Sequence, residues 1–417
     1  MDAFSLYIHV PFCRAKCAYC DFDSYPGLDH LFEKYVRALQ REMRWLSRGR
    51  SLKVKTIYLG GGTPTVLPLA FLGEVLDACY EHFTIAEEGP AQQVGGRGGC
   101  PPNVSSSLSR CGTFALRAEP FDFAQDRPQD EAHRSSPQEG KSRVEGVPLK
   151  LPRLRYASPE AEITVEANPG TVDGGYLAGL LEMGVNRLSL GVQSFHDNEL
   201  RLLGRIHTAA QAVETYRLAR EMGFGNVNLD LICGLPRQAL SSWQATLRQA
   251  IHLRPGHLSL YCLTVEEGTP LGQRIAQGEL PAPDPDLAAE MYMLAEETLD
   301  RACYAHYEIS NWAQPGYECR HNLTYWRNRS YLGLGAGAHS YFGKKRWHNV
   351  WSPAEYITRL EADWQGPFPP TVEEVEEIDE TLEMAETMIL GLRLVQEGVR
   401  LADFRERFGR ELMDVYG

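Results

Sequence analysis

Three cysteines lie in one short segment, Cys13-Arg14-Ala15-Lys16-Cys17-Ala18-Tyr19-Cys20, with the spacing C-x3-C-x2-C. In a reducing compartment, thiols this close together persist or bind metal. Three thiolates with no fourth nearby suit an iron–sulfur cubane, because four irons need four outer ligands and one iron is left open. A structural zinc ion needs a fourth donor; His9 and Asp21 are near in sequence, so spacing alone leaves zinc open. A second segment, Gly60-Gly61-Gly62-Thr63-Pro64-Thr65, follows a short aliphatic run. Its glycines would let backbone approach a ligand closely. It is not a phosphate loop, since no Gly-Lys-Ser/Thr follows.

These residues must be held by a scaffold, and the alternation of short β-branched or aliphatic runs with helical patterns describes one. The runs are Ser5 to Val10, Lys55 to Leu59, Glu162 to Ala167, Arg187 to Val192, Asn226 to Ile232 and His257 to Thr264. Amphipathic stretches lie between them, which predicts α/β architecture with a parallel sheet and crossover helices. Strands in such a sheet are normally apolar on both faces. Here one face is polar: Tyr7 and His9 oppose Ile8 and Val10, Glu166 and Asn168 oppose Val165 and Ala167, and Ser189 and Gln193 oppose Leu190 and Val192. Asn228 and Asp230 likewise oppose Leu229 and Leu231. A closed eight-stranded barrel fills its interior with aliphatic side chains. Polar interior positions predict an incomplete, (β/α)6 TIM-like barrel whose lumen holds a polar ligand.

The barrel pattern is interrupted. From Pro90 to Lys150, only 7 of 61 residues are Ile, Leu, Val or Met and 21 are Gly, Pro or Ser, so residues 89–157 are expected to form a disordered insertion without a role for Cys100 or Cys111. It divides the core into residues 1–88 and 158–305. Residues 306–417 read as an α-rich C-terminal appendage with an acidic face, expected to be incomplete at its end. The net charge of −13 opposes general attraction to nucleic acid or anionic lipid. The sequence shows neither a signal peptide nor an apolar run of membrane-spanning length, so a cytoplasmic location is expected.

Taken together, Tyr7 to Cys20 and the glycine segment resemble the radical S-adenosylmethionine superfamily. Within it the chain resembles the oxygen-independent coproporphyrinogen III oxidase group, most closely the heme-chaperone branch, HemW. The other segments that carry the resemblance are Glu166-Ala167-Asn168-Pro169-Gly170, Gly191-Val192-Gln193-Ser194-Phe195, Gly204-Arg205-x-His207, Asp230-Leu231-Ile232-x-Gly234-Leu235-Pro236 and His321-Asn322-x-x-Tyr325-Trp326. It implies a [4Fe-4S] cluster on Cys13, Cys17 and Cys20, with S-adenosylmethionine chelating the open iron. It further implies that Tyr7, Tyr19, Gly61, Gly62, Thr63, Glu166, Gln193, Arg205 and Asp230 line the S-adenosylmethionine region. One-electron reduction of such a cluster, by an electron donor, cleaves S-adenosylmethionine to a 5′-deoxyadenosyl radical.

Two functions follow from the resemblance. One is a heme chaperone that binds heme and passes it to an acceptor protein. The other is the oxidase, which decarboxylates coproporphyrinogen III in porphyrin biosynthesis. The oxidase pattern carries a further cysteine two positions after the third, where this chain has Phe22, and a sizeable N-terminal extension that is missing before Tyr7. Both departures favour the chaperone. His321, with Tyr325 and Trp326, is the expected heme site, an imidazole for the iron and flat aromatic walls for the porphyrin.

Overall fold

The structure, a computed structural model, describes residues 3–85 and 161–417. The expected insertion at 89–157 lies outside the described residues. Six strands follow the predicted runs closely: β1 (Phe4–Val10), β2 (Lys53–Gly61), β3 (Glu162–Ala167), β4 (Arg187–Gln193), β5 (Asn226–Cys233) and β6 (His257–Cys262). Each is followed by a principal helix: α1 (Phe32–Ser47), α2 (Leu69–His82), α3 (Gly174–Glu182), α4 (Ala209–Met222), α5 (Leu240–Leu253) and α6 (Pro285–Arg301). The strands pair in parallel in the order β6-β5-β4-β3-β2-β1.

The barrel stays open because both end strands have other neighbours. Two short strands, β7 (Ala305–Glu308) and β8 (Asn311–Ala313), extend the sheet beyond β6, with β8 antiparallel to it. After α7 (Arg320–Trp326), the strand β9 (Tyr331–Leu334) pairs in parallel with β1 on its other side. The antiparallel strands β10 (His339–Phe342), β11 (Lys345–Asn349) and β12 (Val372–Glu377) continue outward, with α8 (Pro353–Glu361) between the last two. The helices α9 (Glu380–Gly391), α10 (Leu401–Phe408) and α11 (Leu412–Tyr416) end the chain. The C-terminal region thus contains the expected helices, and before them strands that prolong the barrel sheet.

The alternation along the strands explains the layering. Leu6, Ile8, Ile57, Val165, Leu190 and Leu229 are buried in one core with the inward faces of the helices. On α1 the buried residues are Val36, Leu39 and Met43, and on α5 they are Trp243, Leu247 and Ala250, the spacing of a helix with one apolar stripe. Burial on this scale, at roughly 25 cal/mol per Å² of apolar surface, supplies the main driving force for folding.

One polar device ties α1 to the C-terminal strands. The buried Glu42 carboxylate accepts hydrogen bonds from the Gly335 amide at 3.0 Å, from Asn349 Nδ2 at 2.8 Å and from the Tyr356 hydroxyl. Tyr35 adds a second link, donating to the His9 carbonyl at 2.9 Å and accepting from the Ala336 amide at 2.8 Å. Burial pushes the Glu42 carboxyl up to about 7, against the opposing effect of its three donors. Among the described residues, no helix is long and apolar enough to cross a membrane.

Candidate functional site

The polar faces of β2 to β6 converge on a cavity of about 520 Å³, with the cysteine loop at its mouth. Parallel register produces this convergence: Glu166 lies beside Ser189, Ser189 beside Asn228, and Asp230 beside Ser259. Gln193 also reaches the cavity, from a left-handed backbone (φ 67°) where the β4–β5 register shifts. A non-glycine residue in that region costs energy and is held by its surroundings.

Most of the residues expected around S-adenosylmethionine meet here. Tyr19, Gly61, Gly62, Thr63, Glu166, Gln193, Arg205 and Asp230 all line the cavity, as do Cys13, Cys17 and Cys20. Tyr7 is the exception and does not line the cavity: its hydroxyl bonds His9 Nδ1 at 3.0 Å, and its ring packs against Tyr58, which does line it, and His321. Sequence reasoning left Tyr58, Asn168, Ser259 and Tyr261 out of the site, although all four line the cavity. Asn168 stood on a polar strand face, and that signal could have found it.

A relay of hydrogen bonds anchors the cysteine loop to the barrel. Arg205 donates to Cys17 Sγ at 3.3 Å, to the Gly191 carbonyl at 2.6 Å and to Asn168 Oδ1. Asn168 Nδ2 donates to the Thr63 hydroxyl at 2.8 Å, which leaves that hydroxyl its proton for Cys13 Sγ at 3.5 Å. Ser24 lies 3.8 Å from Cys20 Sγ. Each cysteine sulfur therefore has a hydrogen-bonding neighbour, the kind of environment that tunes a sulfur-ligated cluster. His9 is not a spare fourth ligand. Its Nε2 donates to the Asp23 carbonyl at 2.9 Å, and its Nδ1 faces the Tyr7 hydroxyl.

The glycines do more than admit a ligand. A Cβ on Gly61 would lie 2.5 Å from the His9 ring, and one on Gly62 would lie 2.6 Å from the Phe12 carbonyl oxygen. Close packing of this loop on β1 therefore requires glycine, whatever occupies the cavity.

Electrostatically, the cavity carries both signs: Arg187 and Arg205 line it together with Glu166 and Asp230. Glu166 accepts from the Tyr58 hydroxyl at 2.7 Å and from the Gly61 amide at 3.1 Å, yet burial, with Asp230 nearby, pushes its carboxyl up to about 7. Asp230 is also raised by burial, despite hydrogen bonds from Asn228 at 2.8 Å and Ser189 at 3.2 Å. Arg187 opposes the rise of both carboxylates but does not cancel it, so a ligand that brings a cation would suit them.

The residues expected at the heme site do not line this cavity. His321 sits at the opposite end of the strands, with Thr56 and Glu162. Thr56 donates to Ser5 at 2.7 Å and so accepts from His321 Nδ1 at 2.8 Å, while the Tyr325 hydroxyl donates to Nε2 at 2.8 Å. Both ring nitrogens are committed, and burial lowers the imidazole to about 3. Glu162 receives the Arg320 and His321 amides, each at 3.0 Å, and fixes the start of α7. Trp326 instead lies under the Arg393 guanidinium, 4.3 Å from the ring centroid. His321 and Tyr325 thus bond each other near Thr56, while Trp326 packs apart from them.

Comparison with known proteins places this architecture. Residues 138–250 match the model of the radical SAM superfamily, and residues 378–417 match that of the HemN C-terminal domain. The heme chaperone HemW of Bacillus subtilis is 34% identical over 98% of this chain and 88% of its own length. The chain belongs to the HemW family. HemW of Escherichia coli is 35% identical over 80% of this chain and 69% of its own. Both HemW relatives are named heme chaperones. The fold is also that of coproporphyrinogen III oxidase (HemN) from Escherichia coli, with a TM-score of 0.71 at 20% identity, covering 99% of this chain and 80% of that one.

Proposed function

We propose that this chain is a heme chaperone whose barrel mouth carries a [4Fe-4S] cluster on Cys13, Cys17 and Cys20 and exchangeable S-adenosylmethionine in the adjoining cavity. The observation that carries the cofactor reading is the cavity itself: three hydrogen-bonded thiols at its mouth and two buried carboxylates in its wall. When bound, the cluster and S-adenosylmethionine would supply one-electron chemistry at the open iron. The chain's own groups have separable tasks. Arg205 neutralises negative charge at Cys17 and spans the loop and β4. Glu166 and Asp230 offer carboxylates to a cationic ligand, and Gly61, Gly62 and Thr63 form the part of the wall nearest the cysteine loop. Gln193 and Tyr19 complete the enclosure.

Heme as cargo, with a protein acceptor and an electron donor as partners, follows from kinship with the HemW chaperones. The oxidase reading is disfavoured by Phe22, an exposed apolar side chain at the cavity mouth where the oxidase pattern has cysteine. The test is an anaerobic titration of heme into cluster-reconstituted protein, followed by absorbance. A saturable band at about one heme per chain is the expected result at micromolar heme, within the ordinary range for a specific site. Failure to saturate, together with decarboxylation of coproporphyrinogen III, would replace the chaperone by the oxidase.

A further inference from the structure

Two cysteines outside the cluster loop meet where β5 and β6 end. Cys233 and Cys262 are 29 residues apart in sequence but are register partners in the parallel ladder, with their sulfurs 3.4 Å apart. The ladder continues one step past them, the Leu263 amide donating to the Cys233 carbonyl at 2.9 Å. Neighbouring strands stand about 4.8 Å apart, inside the Cα separation that a disulfide accepts, and a disulfide needs the sulfurs at about 2.05 Å. Small side-chain rotations at the strand ends therefore suffice to close the bond.

The two thiols are not equivalent. Cys233 is buried, only 1% exposed, next to the segment where the Gly234 amide meets Met291 on α6. Cys262 is exposed and contributes to the cavity wall between Tyr261 and Leu263. Either sulfur can donate in this contact; burial favours the proton on Cys233, and the hydrogen bond so placed raises Cys233 and lowers Cys262. An exposed, acidified thiol backed by a buried one is the arrangement of an attacking and a resolving cysteine.

We infer that Cys233 and Cys262 form a dithiol redox site at the cavity rim, one that reduces disulfide compounds and becomes a reversible intramolecular disulfide. The Cys262 thiolate attacks R–S–S–R, forming a mixed disulfide and releasing one RS⁻. Cys233 then loses its proton and attacks the Cys262 sulfur, breaking the mixed disulfide and releasing the second RS⁻. Two electrons pass from the protein to the oxidant, and the two thiol protons end on two RSH molecules. Reduced thiol in excess reverses both steps. Closure ties the ends of β5 and β6 together beside Ile232, Tyr261 and Leu263, all of which line the cavity.

The test uses the full chain, held anaerobically, treated with glutathione disulfide, quenched with N-ethylmaleimide and mapped by peptide mass spectrometry. The expected result is a peptide pair linked through Cys233 and Cys262 that disappears with dithiothreitol. In Cys233→Ala the glutathione adduct is expected to accumulate on Cys262. In Cys262→Ala, Cys233 is expected to react at least about tenfold more slowly than Cys262 does in the partner variant, as befits a buried thiol of raised pKa. Absence of the linked pair from the unaltered chain overturns the assignment. Equal reactivity of the two single variants overturns the division of roles.

Discussion

Glu166 offers the sharpest test of how the cavity is tuned. Its folded carboxyl stands near 7 against an ordinary 4.5, chiefly through burial. At about 1.36 kcal/mol per unit, this shift means that holding Glu166 ionised in the empty chamber costs ~3 kcal/mol above pH 7. The sign follows from the raised value. Below the unfolded pKa both states are protonated and the cost is absent; it grows as pH rises through the window between 4.5 and about 7, then stays constant. Glu166→Gln removes the charge but keeps the shape. The amide oxygen can serve the Gly61 N–H, while the Tyr58 hydroxyl loses its carboxylate acceptor, a loss worth about 1 kcal/mol. The variant without added ligand is therefore expected to be more stable than the parent by ~2 kcal/mol at pH 8 and nearly level with it at pH 5, where a cost of about 0.8 kcal/mol already offsets most of the lost hydrogen bond. Paired urea midpoints at the two pH values read this difference. Infrared spectra of the parent are expected to show carboxylic-acid absorption that titrates near pH 7 and is weakened in the variant, the remainder belonging to Glu42. A stability difference that does not change with pH would refute the claim that burial holds this carboxyl up.

Cys17→Ala is expected to abolish the cluster, checked by iron, sulfide and absorbance after reconstitution; normal values would remove Cys17 from the ligand set. His321→Ala is expected to lower stability by ~2–5 kcal/mol, because it strands Thr56 and Tyr325 in the barrel floor, while leaving the heme absorbance band unchanged. A weakened band in a variant with native circular dichroism would return the heme ligand to that position. Deletion of residues 90–150 is expected to leave folding and cluster binding intact, measured by solubility and iron content; insoluble protein would make that segment structural.

The six barrel strands were legible because alternation with a period of two survives small errors in strand ends, and the same alternation marked Glu166, Gln193 and Asp230 as inward-facing. The strand β9 was not legible. It has four residues, and its Gly333 is there because a Cβ would lie 2.1 Å from the His339 carbonyl oxygen, a contact between segments that no local pattern records. The surroundings of His321 were not legible for a related reason. An imidazole beside aromatics can be recognised along the chain, but not the end of the barrel at which it stands or the partners that occupy its nitrogens. The pairing of Cys233 with Cys262 depends on the β5–β6 register and so became visible only in the assembled sheet.

The place of β1 in the sheet has a consequence for the order of assembly. This strand, which leads into the cysteine loop, is flanked by β2 on one side and by β9 on the other, and Glu42 and Tyr35 take hydrogen bonds from residues 335, 336, 349 and 356. A chain emerging from the ribosome at about 5–20 residues per second exposes Cys13, Cys17 and Cys20 many seconds before their support exists. The partial barrel made from the first three hundred residues lacks one wall, and pairings this distant along the chain form slowly. Loading of the cysteine loop is therefore expected to follow synthesis, once the last third of the polypeptide has folded back against the first strand.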